Sequence, residues 1–185
     1  MRKAIFLDKD GTLIPDIPFN CDPAKITLEA NIIDGLHLLS KQGYRLIIVS
    51  NQAGVGLNYF TEAQVDAAME QLRKLLHQAG IMIHGIYYCP HHPEANNANY
   101  KMICNCRKPL PGLLLSAAQH HDVDLRKSWM IGDILNDVEA GNRAGCRSIL
   151  IDNGNETEWL SGPLRTPAAT CNTINDAALY ICNNN

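Results

Sequence analysis

The chain has 185 residues, of which 46% are hydrophobic, and its formal net charge is -3. This length and composition suffice for one domain with a continuous apolar core. The slightly acidic balance excludes a general electrostatic attraction to nucleic acid or to anionic membranes, so the expected partners are small molecules and any anion recognition must be local. We expect a monomer.

The sequence contains no segment typical of a signal peptide or a membrane span. After Arg2 and Lys3, only the four apolar residues Ala4-Ile5-Phe6-Leu7 precede Asp8, too few for the apolar region of a signal peptide. No apolar run approaches the length of a membrane-spanning helix. We therefore expect a cytoplasmic protein. Among its seven cysteines, three that cluster beside a histidine then indicate metal binding instead of disulfides.

Apolar runs alternate with apolar residues at helical spacing along the first half of the chain. Ala4-Ile5-Phe6-Leu7 is typical of a buried strand, and Thr61 with Gln64 is typical of the capping box that starts a helix. The predicted elements here are strands at residues 4–7, 45–49 and 81–88, and helices at residues 32–39 and 61–80.

The second half of the chain repeats this alternation. Pro111 can occupy the first turn of a helix that continues to His121, and strands are predicted at residues 129–131 and 148–151. The pattern predicts an α/β fold, with residues 1–185 forming a single Rossmann-like domain whose parallel sheet has helices on both faces. Only the polar tail, residues 183–185, is expected to be disordered.

Two carboxylates, Asp8 and Asp10, directly follow the first predicted strand, at the edge where open α/β sheets place their chemistry. Hydrolysis of a phosphate monoester needs a cation at the phosphate, a nucleophile, and a proton source for the leaving oxygen. Two side chains separated by one residue on a strand end can serve different roles, one attacking and the other transferring a proton. The alternative is an ordinary turn after a strand.

Four short motifs together resemble those of the haloacid dehalogenase superfamily of aspartate-nucleophile phosphatases. In chain order they are Asp8-Lys9-Asp10-Gly11-Thr12-Leu13, Val49-Ser50-Asn51-Gln52, Cys106-Arg107-Lys108-Pro109 and Gly132-Asp133-Ile134-Leu135-Asn136-Asp137. Each fragment alone has an ordinary structural explanation, such as a helix cap or a solvated surface charge. Their joint occurrence at predicted strand ends and helix starts favours the phosphatase interpretation.

The resemblance implies a role for each motif. Asp8 is the nucleophile, and Asp10 is the proton-transfer group. Ser50 binds a phosphoryl oxygen, and Lys108 offsets the charge between the phosphate and the nucleophile. The implied ligands of a catalytic magnesium ion are an oxygen of Asp8, the backbone carbonyl of Asp10, and Asp133, with Asp137 behind them.

A cysteine-histidine cluster occupies an irregular loop at residues 89–106. Cys89-Pro90-His91 and Cys104-Asn105-Cys106 supply three thiolates and an imidazole, the donor set of a closed zinc site that stabilises structure. His92 could replace His91, and the alternative to a metal is that reduced thiols pack as small apolar side chains. Because the loop leads directly into Arg107, zinc there would fix the approach of the catalytic lysine.

Two segments further resemble the D-glycero-D-manno-heptose-1,7-bisphosphate 7-phosphatases, in which the superfamily's cap domains are reduced to loops. They are Tyr87-Tyr88-Cys89-Pro90-His91-His92-Pro93 and Cys104-Asn105-Cys106-Arg107-Lys108-Pro109. The resemblance implies no large cap domain, a sugar bisphosphate substrate and a place in lipopolysaccharide synthesis. The implied substrate-binding residues are Asp16, Ile17, Pro18, Phe19, Asn51, Gln52, Ala53 and Arg107, whose planar fork could hold the second phosphate.

Three alternatives stay open. Histidinol-phosphate phosphatases are the nearest relatives of the heptose enzymes, and Ile17-Pro18-Phe19 is more apolar than the loop expected for a heptose substrate. The twelve residues 92–103 between the metal-ligand pairs argue for heptose, because the histidinol-phosphate relatives have a shorter spacer. The other two alternatives are a non-catalytic zinc-stabilised binding module of the same fold and phosphoryl transfer to an acceptor other than water.

Overall fold

A parallel sheet of six strands lies at the centre of the computed structural model, which describes residues 1–184. The strands are β1 (Lys3–Leu7), β2 (Tyr44–Asn51), β3 (Ile83–Cys89), β4 (Trp129–Gly132), β5 (Arg147–Ile151) and β6 (Ala169–Cys171). The helices are α1 (Ile33–Lys41), α2 (Glu62–Gln78), α3 (Gly112–His121), α4 (Leu135–Ala144) and α5 (Ile174–Asn183). Short 3-10 helices lie at Pro23–Lys25 and Leu125–Lys127.

The order of strands in the sheet is β3-β2-β1-β4-β5-β6, so β1 lies between β2 and β4. The chain forms β2 and β3 on one side of β1 and then crosses over to form β4, β5 and β6 on the other side. The boundary between β1 and β4 is therefore the topological switch point. In open α/β sheets the crevice at the carboxyl ends of the strands, beside this point, is the usual ligand site. The topology therefore places Asp8 and Asp133, which follow β1 and β4, at that crevice.

Alternate residues of the central strands face two separate layers of helices, because successive side chains on a strand point to opposite faces. Ile5 and Leu7 pack in a core cluster with residues of α1, α2 and α5, whereas Ala4 and Phe6 pack in a second cluster with residues of α3 and α4. These four β1 side chains are fully buried. The predicted α/β domain with helices on both faces is confirmed.

The capping box predicted at Thr61 is present at the start of α2. The Thr61 hydroxyl accepts a hydrogen bond from the Gln64 backbone N–H at 3.3 Å, and the Gln64 side chain accepts one from the Thr61 N–H at 2.9 Å. Pro111, expected in the first turn of a helix, is instead the N-cap of α3, which begins at Gly112. The helix thus begins one residue later than predicted, because proline is compatible with both the N-cap and the first helical position.

The end of the chain differs from the prediction. β6 and α5 were not predicted, although Ile174, Ala177, Ala178 and Ile181 have helical spacing and are buried. The expected disorder at residues 183–185 is wrong for Asn183, which ends α5, since backbone hydrogen bonding carries the helix beyond its buried face. The Asn184 carbonyl accepts a hydrogen bond from Arg147 at 2.7 Å, and Asn185 lies outside the described residues.

The described chain contains no large cap domain. The segment after β1 holds only the short Pro23–Lys25 turn before α1 begins, and the segment after β3 is the loop that carries the cysteines. Over residues 1–184, no helix combines the length and the apolar character needed to cross a bilayer. The carboxyl edge of the sheet is thus covered by loops alone.

Candidate active site

A cleft of about 150 Å³ opens at the carboxyl ends of β1, β2 and β4. It brings together all four sequence motifs, since its lining residues are Asp8, Asp10, Asp16, Ser50, Asn51, Lys108, Asp133, Ile134 and Asp137. The predicted catalytic and magnesium-binding side chains therefore share one cavity. Five of these side chains are almost completely buried, namely Asp8, Ser50, Lys108, Asp133 and Asp137, whereas that of Asp10 is 28% exposed.

Lys108 is the buried cation of this cleft. Its ammonium group forms ion pairs with Asp8 and with Asp137, the latter at 2.6 Å, and donates a hydrogen bond to the Val49 carbonyl at 3.0 Å. Burial by itself would lower the pKa of Lys108, but the carboxylates of Asp137 and Asp8 raise it above its ordinary value. The lysine stays charged, and its three donors all have partners.

Asn51 fixes the backbone of Lys108. Its side-chain amide donates to the Lys108 carbonyl and accepts from the Lys108 N–H, both at 3.0 Å. These two bonds couple the end of β2 to the segment that follows the cysteine loop. Asn51 thus positions Lys108. It also lines the clefts of the candidate site, and its contact with substrate stays a prediction.

The acidic side of the cleft has more negative charge than its lysine can balance. Asp8, Asp133 and Asp137 place carboxylate oxygens within 4.8 Å of one another, and with all three ionised the one ammonium would leave two negative charges uncompensated. Burial, with the neighbouring carboxylates, raises the pKa of Asp133 to about 8 and that of Asp137 to about 6. A divalent cation with hard oxygen ligands fits both the charge and the donor set.

Asp10 is held from two sides. The Lys9 ammonium donates to one carboxylate oxygen at 2.8 Å, and the Gln52 amide donates to the other at 3.0 Å and also to the Ser50 hydroxyl at 2.9 Å. Burial raises the pKa of Asp10, and the charge of Lys9 opposes this rise. Lys9, only 1% exposed, was not predicted to have a role, because its place beside Asp10 depends on how the turn folds.

A second cleft, of about 210 Å³, adjoins the first and shares Asp10, Asp16 and Asn51 with it. The remaining lining residues are Ile17, Phe19, Asn20, Gln52, Ala53, Gly54, Phe60 and Arg107. All the predicted substrate-binding residues except Pro18 line this cleft. Pro18 lines a neighbouring cavity outside both clefts.

Arg107 carries an unpaired polar group in the second cleft. Its Nη1 atom is buried and has no hydrogen-bond partner. Buried guanidinium N–H groups without an acceptor are costly, so they mark places where a bound anion would supply the missing contact. Ile17, Phe19 and Phe60 line the same cleft as its apolar wall, and the centre of the Phe19 ring lies 4.3 Å from that of the Tyr59 ring.

The cysteines and histidine predicted to bind zinc converge at the end of β3. Cys89, His91, Cys104 and Cys106 each place a ligand atom within 4.8 Å of the others. His91 Nδ1 lies 3.3 Å from Cys106 Sγ, whereas His92 Nδ1 accepts a hydrogen bond from the Glu94 N–H, so the geometry favours His91 over His92. Three sulfurs and one imidazole nitrogen form a set that could hold a metal ion.

The cysteine loop is attached to the helix that follows Lys108. The Gly112 N–H, at the start of α3, donates to the Asn105 carbonyl at 2.8 Å. A β-carbon on Gly112 would lie 2.4 Å from this oxygen, so only glycine permits the approach. The cluster therefore anchors the segment that delivers Arg107 and Lys108 to the two clefts.

Comparison with known proteins supports the same interpretation. The HAD-hydrolase-like family model matches residues 105–177. The D-glycero-beta-D-manno-heptose-1,7-bisphosphate 7-phosphatase of Escherichia coli (strain K12) is 35% identical over 170 residues, covering 87% of this chain and 89% of that protein. The protein of the same name from Photorhabdus laumondii is 40% identical over 141 residues, covering 76% and 75%.

A solved structure extends the similarity to the whole fold. The crystal structure of D,D-heptose 1,7-bisphosphate phosphatase from B. bronchiseptica, complexed with magnesium and phosphate, matches with a TM-score of 0.84 and 28% sequence identity. The match covers 99% of each chain. Because these similarities span nearly all of the protein and all four motifs meet in one cleft, this chain belongs to the haloacid dehalogenase-like phosphatases, in the group that contains the D-glycero-beta-D-manno-heptose-1,7-bisphosphate 7-phosphatases.

Proposed function

We propose that this phosphatase removes the 7-phosphate of D-glycero-D-manno-heptose 1,7-bisphosphate, in a magnesium-dependent reaction that passes through an aspartyl-phosphate. The observation that carries the chemistry is the buried cluster of Asp8, Lys108, Asp133 and Asp137, in which three carboxylates surround a single ammonium. The names of the relatives support the substrate. Heptose of this kind would supply lipopolysaccharide synthesis in the cytoplasm, and we propose that the enzyme acts as a monomer.

In the first step an oxygen of Asp8 attacks the phosphorus in line with the bond to the leaving oxygen. The new bond makes an aspartyl-phosphate, and the old P–O bond breaks as Asp10 gives its proton to the leaving alkoxide. Burial raises the pKa of Asp10, which favours the protonated form that this step needs. The Ser50 hydroxyl, which accepts its hydrogen bond from Gln52, remains free to donate to a phosphoryl oxygen.

In the second step water replaces the enzyme carboxylate. Asp10, now ionised, takes a proton from a water molecule, whose oxygen attacks the phosphorus and releases inorganic phosphate and the Asp8 carboxylate. Lys108 keeps its place beside Asp8 throughout, because Asp137 and the Val49 carbonyl hold the other side of its ammonium group. Asp10 is restored to its protonated form at the end of the cycle.

Asp8, the Asp10 carbonyl and Asp133 would hold the magnesium ion, with Asp137 behind them. The ion supplies charge neutralisation at the phosphoryl oxygens, which otherwise repel the attacking carboxylate. The chain's own contribution is to keep these carboxylates together and largely out of water, where electrostatic attraction is stronger than in bulk solvent.

Arg107 would bind the second phosphate of the substrate. Replacing it with methionine is expected to lower kcat/KM for the bisphosphate by about 10- to 100-fold, because a charge-assisted contact is lost. Hydrolysis of p-nitrophenyl phosphate, which has no second phosphate, should change little. Arg107→Lys should restore the activity only in part, since lysine lacks the planar fork, and the exposed Arg126→Met serves as the matched control.

The test is a phosphate-release assay of these variants on heptose 1,7-bisphosphate, on histidinol phosphate and on p-nitrophenyl phosphate, with and without magnesium. Equal losses on all three substrates would contradict the assignment of Arg107 to the second phosphate. A wild-type preference for histidinol phosphate would contradict the proposed substrate while leaving the reaction intact.

Histidinol phosphate is the second candidate substrate, and the apolar wall favours it. Ile17, Phe19 and Phe60 offer few hydrogen-bond donors to sugar hydroxyl groups, and an aromatic wall suits an imidazole ring. The unpaired Arg107 Nη1 favours a substrate with two phosphates instead, because histidinol phosphate has no second anion to satisfy it. We therefore place the bisphosphate first.

Zinc is the metal that we propose for Cys89, His91, Cys104 and Cys106. Burial raises the pKa of the Cys89 thiol, so its thiolate form needs a cation nearby.

Cys104→Ser is expected to remove zinc from the protein and to lower the free energy of unfolding by more than ~3 kcal/mol. Elemental analysis and chemical denaturation measure the two effects, and Cys182→Ser, outside the cluster, is the control. A wild-type protein that contains no zinc would contradict the proposal.

A further inference from the structure

The loop that follows β5 reaches into the candidate active site through Asn155. The Asn155 side-chain amide donates a hydrogen bond to Asp133 Oδ2 at 2.8 Å. Asp133 is 4% exposed and is one of the three carboxylates that could hold magnesium. None of the four sequence motifs includes Asn155, and this residue has no role in the two proposed steps of phosphate hydrolysis.

Neighbouring residues fix this loop on both sides of Asn155. Before it, the Asn153 amide donates to the Gly11 carbonyl at 2.7 Å. After it, the buried Glu156 carboxylate accepts hydrogen bonds from the backbone N–H groups of Leu135, at 2.6 Å, and of Glu158, at 2.8 Å. The loop is thus tied to the turn after β1 and to the start of α4, so Asn155 cannot move away without breaking these contacts.

Gly11 makes room for the contact. It adopts a φ of +76°, and a β-carbon at this position would lie 2.0 Å from Asp133 Oδ2 and 2.4 Å from Asn155 Nδ2. Glycine is therefore favoured here for two reasons. It adopts the left-handed backbone readily, and it has no β-carbon to fill the space where the Asp133 and Asn155 side chains meet. The two polar atoms meet directly over its backbone.

Asp133 is oriented by one donor on each oxygen. Thr12 donates its hydroxyl to Oδ1 at 3.1 Å, and Asn155 donates to Oδ2. An ionised carboxylate has about four lone-pair positions, so these bonds leave acceptor capacity for a cation. Because Asn155 is neutral, it orients the carboxylate without adding a fourth negative charge to the cluster.

We propose that Asn155 is a positioning residue for Asp133, and that its hydrogen bond sets the affinity of the site for Mg²⁺. The inference rests on the proposed magnesium site. Hydrogen bonds from residues behind a metal ligand hold that ligand in the orientation the metal needs, and their loss weakens metal binding more than it changes the fold. Asn155 occupies such a place for the ligand that follows β4.

Asn155→Ala is expected to raise the Mg²⁺ dissociation constant by ~10- to 100-fold, measured by isothermal titration calorimetry with MgCl₂. At saturating Mg²⁺, kcat for p-nitrophenyl phosphate should return to near the wild-type value, since Asn155 touches no reacting atom. The melting temperature without Mg²⁺ should stay close to that of the wild type.

Asn96→Ala is the matched control, because it removes an amide-to-carbonyl hydrogen bond, to Leu57, in a loop that does not contact Asn155 or Asp133. It should leave the Mg²⁺ dissociation constant unchanged. If Asn155→Ala binds Mg²⁺ as tightly as the wild type, or if Asn96→Ala weakens binding equally, the inference is wrong and Asn155 has only a structural role. If the wild-type protein itself does not bind Mg²⁺, the proposed function fails first, and the two results remain distinguishable.

Discussion

Asp8→Asn is expected to lower phosphate release by at least ~10⁴-fold, because an amide cannot attack phosphorus as a carboxylate does. Asparagine has the same shape as aspartate, and it removes one of the three carboxylates that crowd the cleft. The variant should therefore fold and still bind the substrate. Steady-state phosphate release measures the loss, and calorimetric binding of the bisphosphate measures the retained affinity.

The exposed Asp34→Asn, on α1, is the matched control for the same chemical change and should keep full activity. A non-catalytic binding module makes the opposite forecast, that Asp8→Asn alters no measurable property. Retention of even a tenth of the wild-type rate would rule out Asp8 as the nucleophile.

The covalent intermediate can be sought in Asp10→Asn. With p-nitrophenyl phosphate the leaving group needs no proton, so the first step can proceed, while the second lacks its base. A quenched sample should then show the mass of one added phosphoryl group on the peptide that contains Asp8. Its absence, together with normal turnover, would contradict the two-step mechanism.

Lys108→Met is expected to lower both stability and turnover. Lys108 is 3% exposed and its ammonium pairs with Asp8 and Asp137, so its removal leaves two buried carboxylates without their cation. Breaking a buried ion pair in this way costs about 3 to 5 kcal/mol, and losing a cation beside the reacting phosphate costs about 10²- to 10³-fold in kcat. Chemical denaturation without magnesium and phosphate-release kinetics measure the two losses.

A double variant separates the two effects. In Lys108→Met with Asp137→Asn, one of the unpaired charges is gone, so part of the stability should return while turnover stays low. The exposed Lys127→Met is the single-site control and should change the free energy of unfolding by no more than about 0.5 kcal/mol. Full stability in Lys108→Met would show that the ion pairs do not hold the cleft together.

The sequence alone placed the predicted catalytic side chains on one edge of the fold, where the structure brings them together. Asp8, Ser50 and Asp133 each end an apolar run, and the carboxyl ends of parallel strands meet at one edge whatever the order of the strands. The cysteine and histidine spacing likewise predicted one convergent cluster. Both inferences depend on local patterns that a short stretch of sequence contains.

The position of polar residues directly after a predicted strand could also have indicated the loop of Asn155. Asn153-Gly154-Asn155 follows the apolar run that became β5, as Asp133 follows β4. Asparagine is common in turns, however, so its presence after a strand is a weaker signal than an aspartate pair. Its significance comes from the 2.8 Å contact with Asp133, which joins residues far apart in the chain.

The sequence therefore determined the fold class, the reactive and metal-binding types of side chain, and the edge of the sheet where they lie. It could do so because strand periodicity, helix caps and motif order are properties of neighbouring residues. Tertiary structure alone decided that β1 lies between β2 and β4, that Asn51 holds the backbone of Lys108, and that Arg107 Nη1 stays unpaired. These features depend on packing between distant segments, which fixes the partner and the charge environment of each side chain.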